Sequence, residues 1–251
     1  MATVPGGSYI TDTHPGEVLH GTGDGDMIFG FEGHDIIYGG PGSEYIETDG
    51  DHNRIFGGSG DDVIQTYGSH DFIVGGHGND VITTDGKGHD TIIGGTGNDT
   101  IYAGGGHNLV HAGTGNDYLH GGTGNDTLIG GTGHDTLVAG SGAEKLLAGS
   151  GDTLLIAGKG NDTMIGGAGH DTFVFNSNGG KDVVMNFHDG DILQIQKNIN
   201  GLHIHSAADL ASHVHDSDGN AVITLGHETI TLVGIKAEDV QHNPSGYFTV
   251  H

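Results

Sequence analysis

Along most of the chain one apolar residue recurs every nine positions, with glycine and polar residues filling the intervals. The row runs Ile28, Ile37, Ile46, Ile55, Ile64, Ile73 and Ile82. After one inserted residue it continues through Ile92, Ile101, Val110, Leu119, Leu128, Leu137 and Leu146, then through a local slip to Leu154, Met164 and Phe173. No polar residue interrupts it, and extended backwards the frame lands on Leu19 and Ile10. Each apolar residue has a single neighbour on either side before the glycine-rich turns begin. That is too short for a helix and suits a short strand with one inward side chain. Short strands joined by like turns predict an all-β fold, a parallel β-roll solenoid. Its core exists only where neighbouring strands stack.

The full unit, plainest in residues 121–140, is G-G-x-G-x-D-x-U-x, with U the apolar position. Units of nine send successive turns to opposite edges of the coil, so residues 18 apart stack. One edge then carries Asp26, Glu44, Asp62, Asp80, Asp99, Asp117, Asp135, Asp152 and Asp171. The other carries Asp35, Asn53, Asp71, Asp90, Asn108, Asp126, Glu144 and Asp162. Ser8 and Glu17 fall in the same slot ahead of Ile10 and Leu19. Neighbouring strands lie about 4.8 Å apart, and carboxylates stacked at that spacing repel unless a cation sits between them. Oxygen ligands in a flexible turn favour Ca²⁺ over Zn²⁺ or Mg²⁺.

Composition sharpens this picture. Of 251 residues 52 are glycine, and 33 acids stand against 7 lysines and arginines, for a formal charge of −26. Such a chain repels nucleic acid and anionic membranes. It has no cysteine, so disulfides and thiolate metal sites are excluded, and no apolar run is long enough to span a membrane. With four prolines and no three-residue glycine period, it is not collagen.

The repeat resembles that of the RTX (repeats-in-toxin, hemolysin-type) family closely over residues 17–175. The resemblance implies multiple Ca²⁺ ions held by Asp26, Asp35, Asp62, Asp71, Asp80, Asp90, Asp99, Asp117, Asp126, Asp135, Asp152, Asp162 and Asp171 with turn glycine carbonyls. Glu44, Asn53, Asn108 and Glu144 depart from the motif. The best Asp/Asp neighbours are Asp62/Asp80, Asp80/Asp99, Asp99/Asp117 and Asp117/Asp135, with Asp71/Asp90 on the second edge.

Three regions are expected: an N-terminal edge with a degenerate first rung (1–16), the roll (17–175) and a C-terminal cap with a secretion-signal region (176–251). Residues 1–7 lack a cationic and apolar leader pattern, so no cleavable signal peptide is expected. In the cap, Ser206–His215 reads as a short helix, with Ser206 and Asp209 at capping spacing and Leu210 and Val214 on one face. Residues 220–226, 228–235 and 246–250 read as strands. This segment is similar to the one that follows the repeats in RTX proteases and other type I secretion substrates. The resemblance implies passage through type I secretion machinery while unfolded and Ca²⁺-driven folding outside the cell. No H-E-x-x-H, nucleophile elbow, Walker loop or paired catalytic acids appear. The expectation is therefore a secreted, non-enzymatic protein with a structural or adhesive role. Its partners would be Ca²⁺, a cell-surface polysaccharide or copies of itself. End-to-end assembly would follow if the ladder end at Ile10 and Leu19 offers unpaired strand backbone; Pro5 and Pro15 flank that rung and would blunt it.

Histidine opens an alternative. His34, His52, His70, His89 and His107 precede the acidic slot on one edge only and form a ladder. They are either solvated turn residues standing in for asparagine, or a face for transition-metal capture (Zn, Cu or Ni) or pH sensing. The Thr96/Asn98, Thr114/Asn116 and Thr123/Asn125 segments resemble ice-binding RTX regions, but too few rungs carry them for a flat array.

Overall fold

A computed structural model describes residues 7–23 and 25–251, so Pro5 lies outside the described residues. The chain coils into a parallel β-solenoid of about ten turns with two sheets facing across one core. Strands alternate between the sheets because each nine-residue unit contributes one strand and one turn. The first sheet begins with Tyr9–Thr11, Met27–Gly30 and Tyr45–Thr48, the second with Val18–His20, Ile36–Pro41 and Arg54–Ser59. The register confirms the 18-residue stacking: Ile28 pairs with Ile46 and Ile46 with Ile64 on one sheet, Ile37 with Ile55 and Ile55 with Ile73 on the other. These isoleucines are fully buried. Leu19 is buried and Ile10 packs partly buried against the core, so the first rungs follow the frame.

The inserted residue between Asp80 and Asp90 is absorbed in the turn Asp85–Asp90, and pairing of Ile73 with Ile92 resumes unshifted. At Leu154 the expectation fails. Leu137 pairs with Leu155, and Leu155 is the buried residue. The nine-residue frame in fact runs unbroken from Glu144 through position 153 to Asp162, and no slip exists.

The sheets continue past the last nonapeptide. Lys181–Met185 joins the second sheet and Ile192–Ile195 the first, with Val184 and Leu193 buried in the core row. Phe248–Val250 adds a further parallel strand to the first sheet, and an antiparallel set, Glu228–Leu232, Asn220–Leu225 and Val214–Ser217, closes the second. The helix expected over Ser206–His215 is only Ala207–Ala211. Its start follows the capping reading, since the Asp209 carboxylate accepts the Ser206 N–H at 3.0 Å. Leu210 is buried as expected, but Val214 already belongs to the following strand, which ends the helix early. A second helix, Ala237–His242, was not foreseen.

Candidate metal centre

The acidic slot lies inside the coil at each edge, not on its surface. Asp62, Asp80, Asp99, Asp117 and Asp135 on the first edge are all at most 2 % exposed. They are tied into a chain: each slot residue donates its N–H to Oδ1 of the slot residue one coil on. Asp62 donates to Asp80 at 2.9 Å, Asp80 to Asp99 at 2.8 Å, Asp99 to Asp117 at 2.8 Å and Asp117 to Asp135 at 2.9 Å. The second edge repeats this from Asp35 to Asn53, Asp71, Asp90, Asn108 and Asp126. At the first rungs, Ser8 and Glu17 likewise donate to Asp26 and Asp35. One carboxylate oxygen is thus a structural acceptor, and an asparagine can replace it.

The second oxygen is the unusual one. Oδ2 of Asp35, Asp62, Asp71, Asp80, Asp90, Asp99, Asp117, Asp126 and Asp135 is buried without a hydrogen-bond partner. An unpaired buried carboxylate costs several kcal/mol, so the carboxyls respond. Burial pushes Asp71 up to about 7 and Asp80, Asp99, Asp117 and Asp126 up to about 6. It also raises Asp35, Asp62, Asp90, Asp135 and Asp171. At Glu144 burial and the adjoining Asp162 carboxyl act together to raise it strongly. Asp26 is the exception. Burial opposes it, but the N–H groups of Ser8, Thr22 and Gly23 outweigh that and hold its carboxyl low. Asp162 and Asp171 also spend Oδ2 on backbone, accepting from Gly158 at 3.1 Å and Gly167 at 2.8 Å.

Asp152 departs from the expected slot. Thr153 occupies it, buried, and donates its N–H to Asp171 Oδ1 at 3.0 Å. The Asp152 side chain is 52 % exposed beside His134. The unbroken spacing placed threonine there, and the chemistry of the neighbouring aspartate misled the reading. Two slot residues were missed altogether. Asp182 and Asp191 are buried and accept from Asp162 at 2.9 Å and Asp171 at 2.8 Å. Burial pushes Asp182 up to about 7. Their D-x-U pattern (Asp182-Val183-Val184 and Asp191-Ile192-Leu193) was visible, but the interval had grown to 20 residues.

The turns themselves divide into two kinds. On the first edge the G-G-x-G turns put their second and fourth residues at positive φ, as at Gly58 (119°) and Gly60 (118°), and Gly76 (123°) and Gly78 (127°). The preceding glycine leaves room for oxygen: a Cβ on Gly57 would strike Asp62 Oδ2 and the Gly75 carbonyl oxygen, and one on Gly75 would strike Asp80 Oδ2 and the Gly94 carbonyl oxygen. Gly94 and Gly130 frame the same space at Asp99 and Asp135, and Gly121 does so at Asp126 on the second edge. These spaces, walled by a carboxylate oxygen and a carbonyl oxygen, fit a hard cation.

The second edge is different over its N-terminal half. There the only left-handed residue in each of three turns is a histidine, His34 (67°), His52 (63°) and His70 (64°), and the cradle position holds Gly30 in the first of them and Thr48 and Thr66 in the other two. Histidine is among the non-glycine residues enriched in that conformation, which gives these positions a backbone reason. Their exposed rings stack, His34 on His52 with centroids 5.1 Å apart and His52 on His70 at 5.0 Å, while His89 meets His70 and His107 edge-on. Stacking faces the rings toward one another and does not converge their nitrogens. Among the described residues no group of three or more His, Cys, Asp or Glu side chains is gathered for a metal. A calcium site of one carboxylate oxygen plus carbonyls needs no such group.

The model of the RTX calcium-binding nonapeptide repeat matches residues 16–46, 47–82, 84–119, 111–143, 120–154 and 147–184. The chain belongs to this RTX family. RTX repeats bind calcium, and the oxygen-walled turns are the features of this RTX chain that fit it. No curated protein matches the sequence. Among solved structures it is similar to the crystal structure of extracellular lipase LipA from Serratia marcescens, with a TM-score of 0.33 and 21 % identity over 90 % of this chain. The RTX chain spans only 39 % of that lipase chain. No helix among the described residues is long and apolar enough to cross a membrane.

Proposed function

We propose that this RTX chain is a secreted structural or adhesive protein of the cell surface or extracellular matrix, non-enzymatic, whose roll folds when Ca²⁺ becomes available outside the cell. The observation that carries the reading is the file of buried, unpartnered Oδ2 atoms from Asp62 to Asp135 beside carbonyl-lined glycine turns. Asp62, Asp80, Asp99 and Asp135 on the first edge and Asp126 on the second would hold the ions, with the carbonyls of Gly75, Gly94, Ala112, Ala148 and Ala139 beside them, whereas the turn before Asp117 carries Ala112 in place of the cradle glycine. Bound Ca²⁺ supplies positive charge where the fold stacks negative charge. The Oδ1 chain keeps each carboxylate aimed, and the apolar row keeps water from the core side. Asp35, Asp71 and Asp90 sit in the histidine-type turns and contribute chiefly as buried acceptors.

Low cytoplasmic calcium would leave the chain extended for a type I channel, and millimolar calcium outside would couple binding to folding. The test of the role compares cells that export the chain with cells deleted for it, scoring surface-bound protein and cell cohesion with calcium and with chelator. Cohesion that depends on both the chain and calcium supports the proposal. Exported protein that remains wholly in the medium and leaves cohesion unchanged overturns it.

A further inference from the structure

The outer faces of the two sheets match one another row for row. Each strand's inward residue has two outward neighbours, so each face carries two rows. On the second sheet the rows run from Val18 to Val183 and from His20 to Met185, and neither contains an aspartate or glutamate, although the chain has 33 acids. The second-sheet rows do contain the sole arginine, Arg54, and one lysine, Lys145. On the first sheet the corresponding rows, from Tyr9 to Thr172 and from Thr11 to Val174, contain one acid, Glu47, and no lysine or arginine. Both faces are otherwise rich in apolar residues, several well exposed, including Tyr38 at 41 %, Tyr102 at 41 % and Leu109 at 44 %.

Glu47 and Arg54 belong to the same coil and flank the same turn, 48–53, so they sit at one height and toward one edge on opposite faces. Each is held outward. The Glu47 carboxylate accepts the Tyr45 hydroxyl at 2.7 Å. The Arg54 guanidinium lies 5.7 Å from the Phe56 ring centroid and 5.9 Å from that of Phe72. Among the described residues Arg54 makes no ion pair.

We infer that copies of this chain associate broadside, the first-sheet face of one on the second-sheet face of the next. Translation perpendicular to the sheets keeps the edges aligned, and it sets Glu47 of one copy against Arg54 of its neighbour. The same translation sets Tyr45 over Phe56, Val63 over Val74 and Tyr102 over Leu109. A two-fold contact of either face with itself leaves Arg54 without a carboxylate, so charge selects the heterologous arrangement, which is open-ended. Ten rungs at about 4.8 Å, about 10 Å wide, give about 500 Å² per face. The total of about 1,000 Å² reaches the lower bound for a biological interface, the size of a weak association, and sheets so packed lie about 10 Å apart. Faces that carry one acid between them also give a strongly anionic chain a place where a second copy can approach. The inference rests on the structural role proposed above for its purpose, but the association is measured separately from it.

The experiment is sedimentation velocity of the full chain in millimolar Ca²⁺ over a range of concentrations, with circular dichroism confirming the folded roll in each sample. Wild type should form a concentration-dependent series of oligomers. Glu47→Arg and Arg54→Glu should each weaken association at least tenfold while keeping the calcium-dependent β signal. An equimolar mixture of the two variants should associate again, because each then meets an opposite charge, and the double variant should associate alone. If Arg54→Glu does not fold, Arg54→Gln replaces it; alone it should be weakened, and mixed with Glu47→Arg it should stop at pairs, because only the Glu47 of one and the Arg54 of the other then meet. A folded wild type that stays monomeric at every concentration overturns the inference. So does undiminished association of the single variants, or a mixture that stays apart. Loss of the calcium-dependent β signal in wild type would instead count against the folding proposal.

Discussion

The N–H of Asp80 donates to Oδ1 of Asp99 at 2.8 Å, while Oδ2 of the same Asp99 is buried with no partner. The two oxygens of one carboxylate therefore have separable duties. Oδ1 holds the next coil in register, and Oδ2 brings a charge that the protein alone does not balance.

Asparagine should separate these duties at Asp99. Asn53 and Asn108 already serve as acceptors, for Asp35 at 3.0 Å and Asp90 at 2.9 Å. Asp99→Asn should keep the backbone bond and fold more readily than wild type in chelator, yet bind calcium more weakly. Asp99→Ala loses both and should cost about 1.5–3 kcal/mol, the worth of a charge-assisted hydrogen bond. Urea denaturation with and without calcium distinguishes the two.

Acid should substitute partly for calcium. In the metal-free fold burial pushes Asp71 and Asp182 up to about 7 and Asp80, Asp99, Asp117 and Asp126 up to about 6. An unfolded aspartate titrates near ~3.9. Folded values above the unfolded one mean that this stability is full below about pH 4 and is lost as pH rises through about 6 to 7. In chelator the β signal should be greater near about pH 5 than near about pH 8. Calcium should remove most of that dependence. A chelated protein equally unfolded, or equally folded, at both values would contradict the raised carboxyls.

The core row should be far less tolerant at its centre than at its end. Ile92 is fully buried between Ile73 and Val110, whereas Ile10 is only partly covered. Ile92→Ala should cost about 2–5 kcal/mol and raise the calcium concentration needed for folding. Ile10→Ala should shift it much less, as read from thermal melts at fixed calcium.

The histidine turns should respond to backbone shape before ring chemistry. His52 sits at φ 63°. His52→Asn should leave the melting temperature nearly unchanged. His52→Val should cost about 1–2 kcal/mol, the penalty for a side chain forced left-handed, with calcium binding on the first edge unaffected.

Much of this was legible because spacing and chemistry agreed. The apolar row, the two edges and the aspartate slots follow from a period in which glycine, acid and isoleucine each hold fixed places. The reading failed where the two signals separated. At 152–155 the frame demanded Thr153 and Leu155, but Asp152 and Leu154 looked right chemically. At Asp182 and Asp191 the chemistry persisted while the spacing stretched, so the slots were passed over. The contrast between glycine turns and histidine turns needed backbone angles, since a histidine before an acid carries no sign of left-handed φ. The Glu47–Arg54 relationship was not visible either, because it depends on which face each strand's flanking residues meet.

Far-ultraviolet circular dichroism of the full chain in chelator near neutral pH, followed through a calcium titration, tests the central claim most directly. The account predicts a coil-like spectrum without calcium and a cooperative change to β structure as calcium is added, with sodium or magnesium at equal ionic strength unable to replace it. A complete β spectrum in chelator at neutral pH, unchanged by calcium, would show that the stacked carboxylates need no cation and would contradict the account.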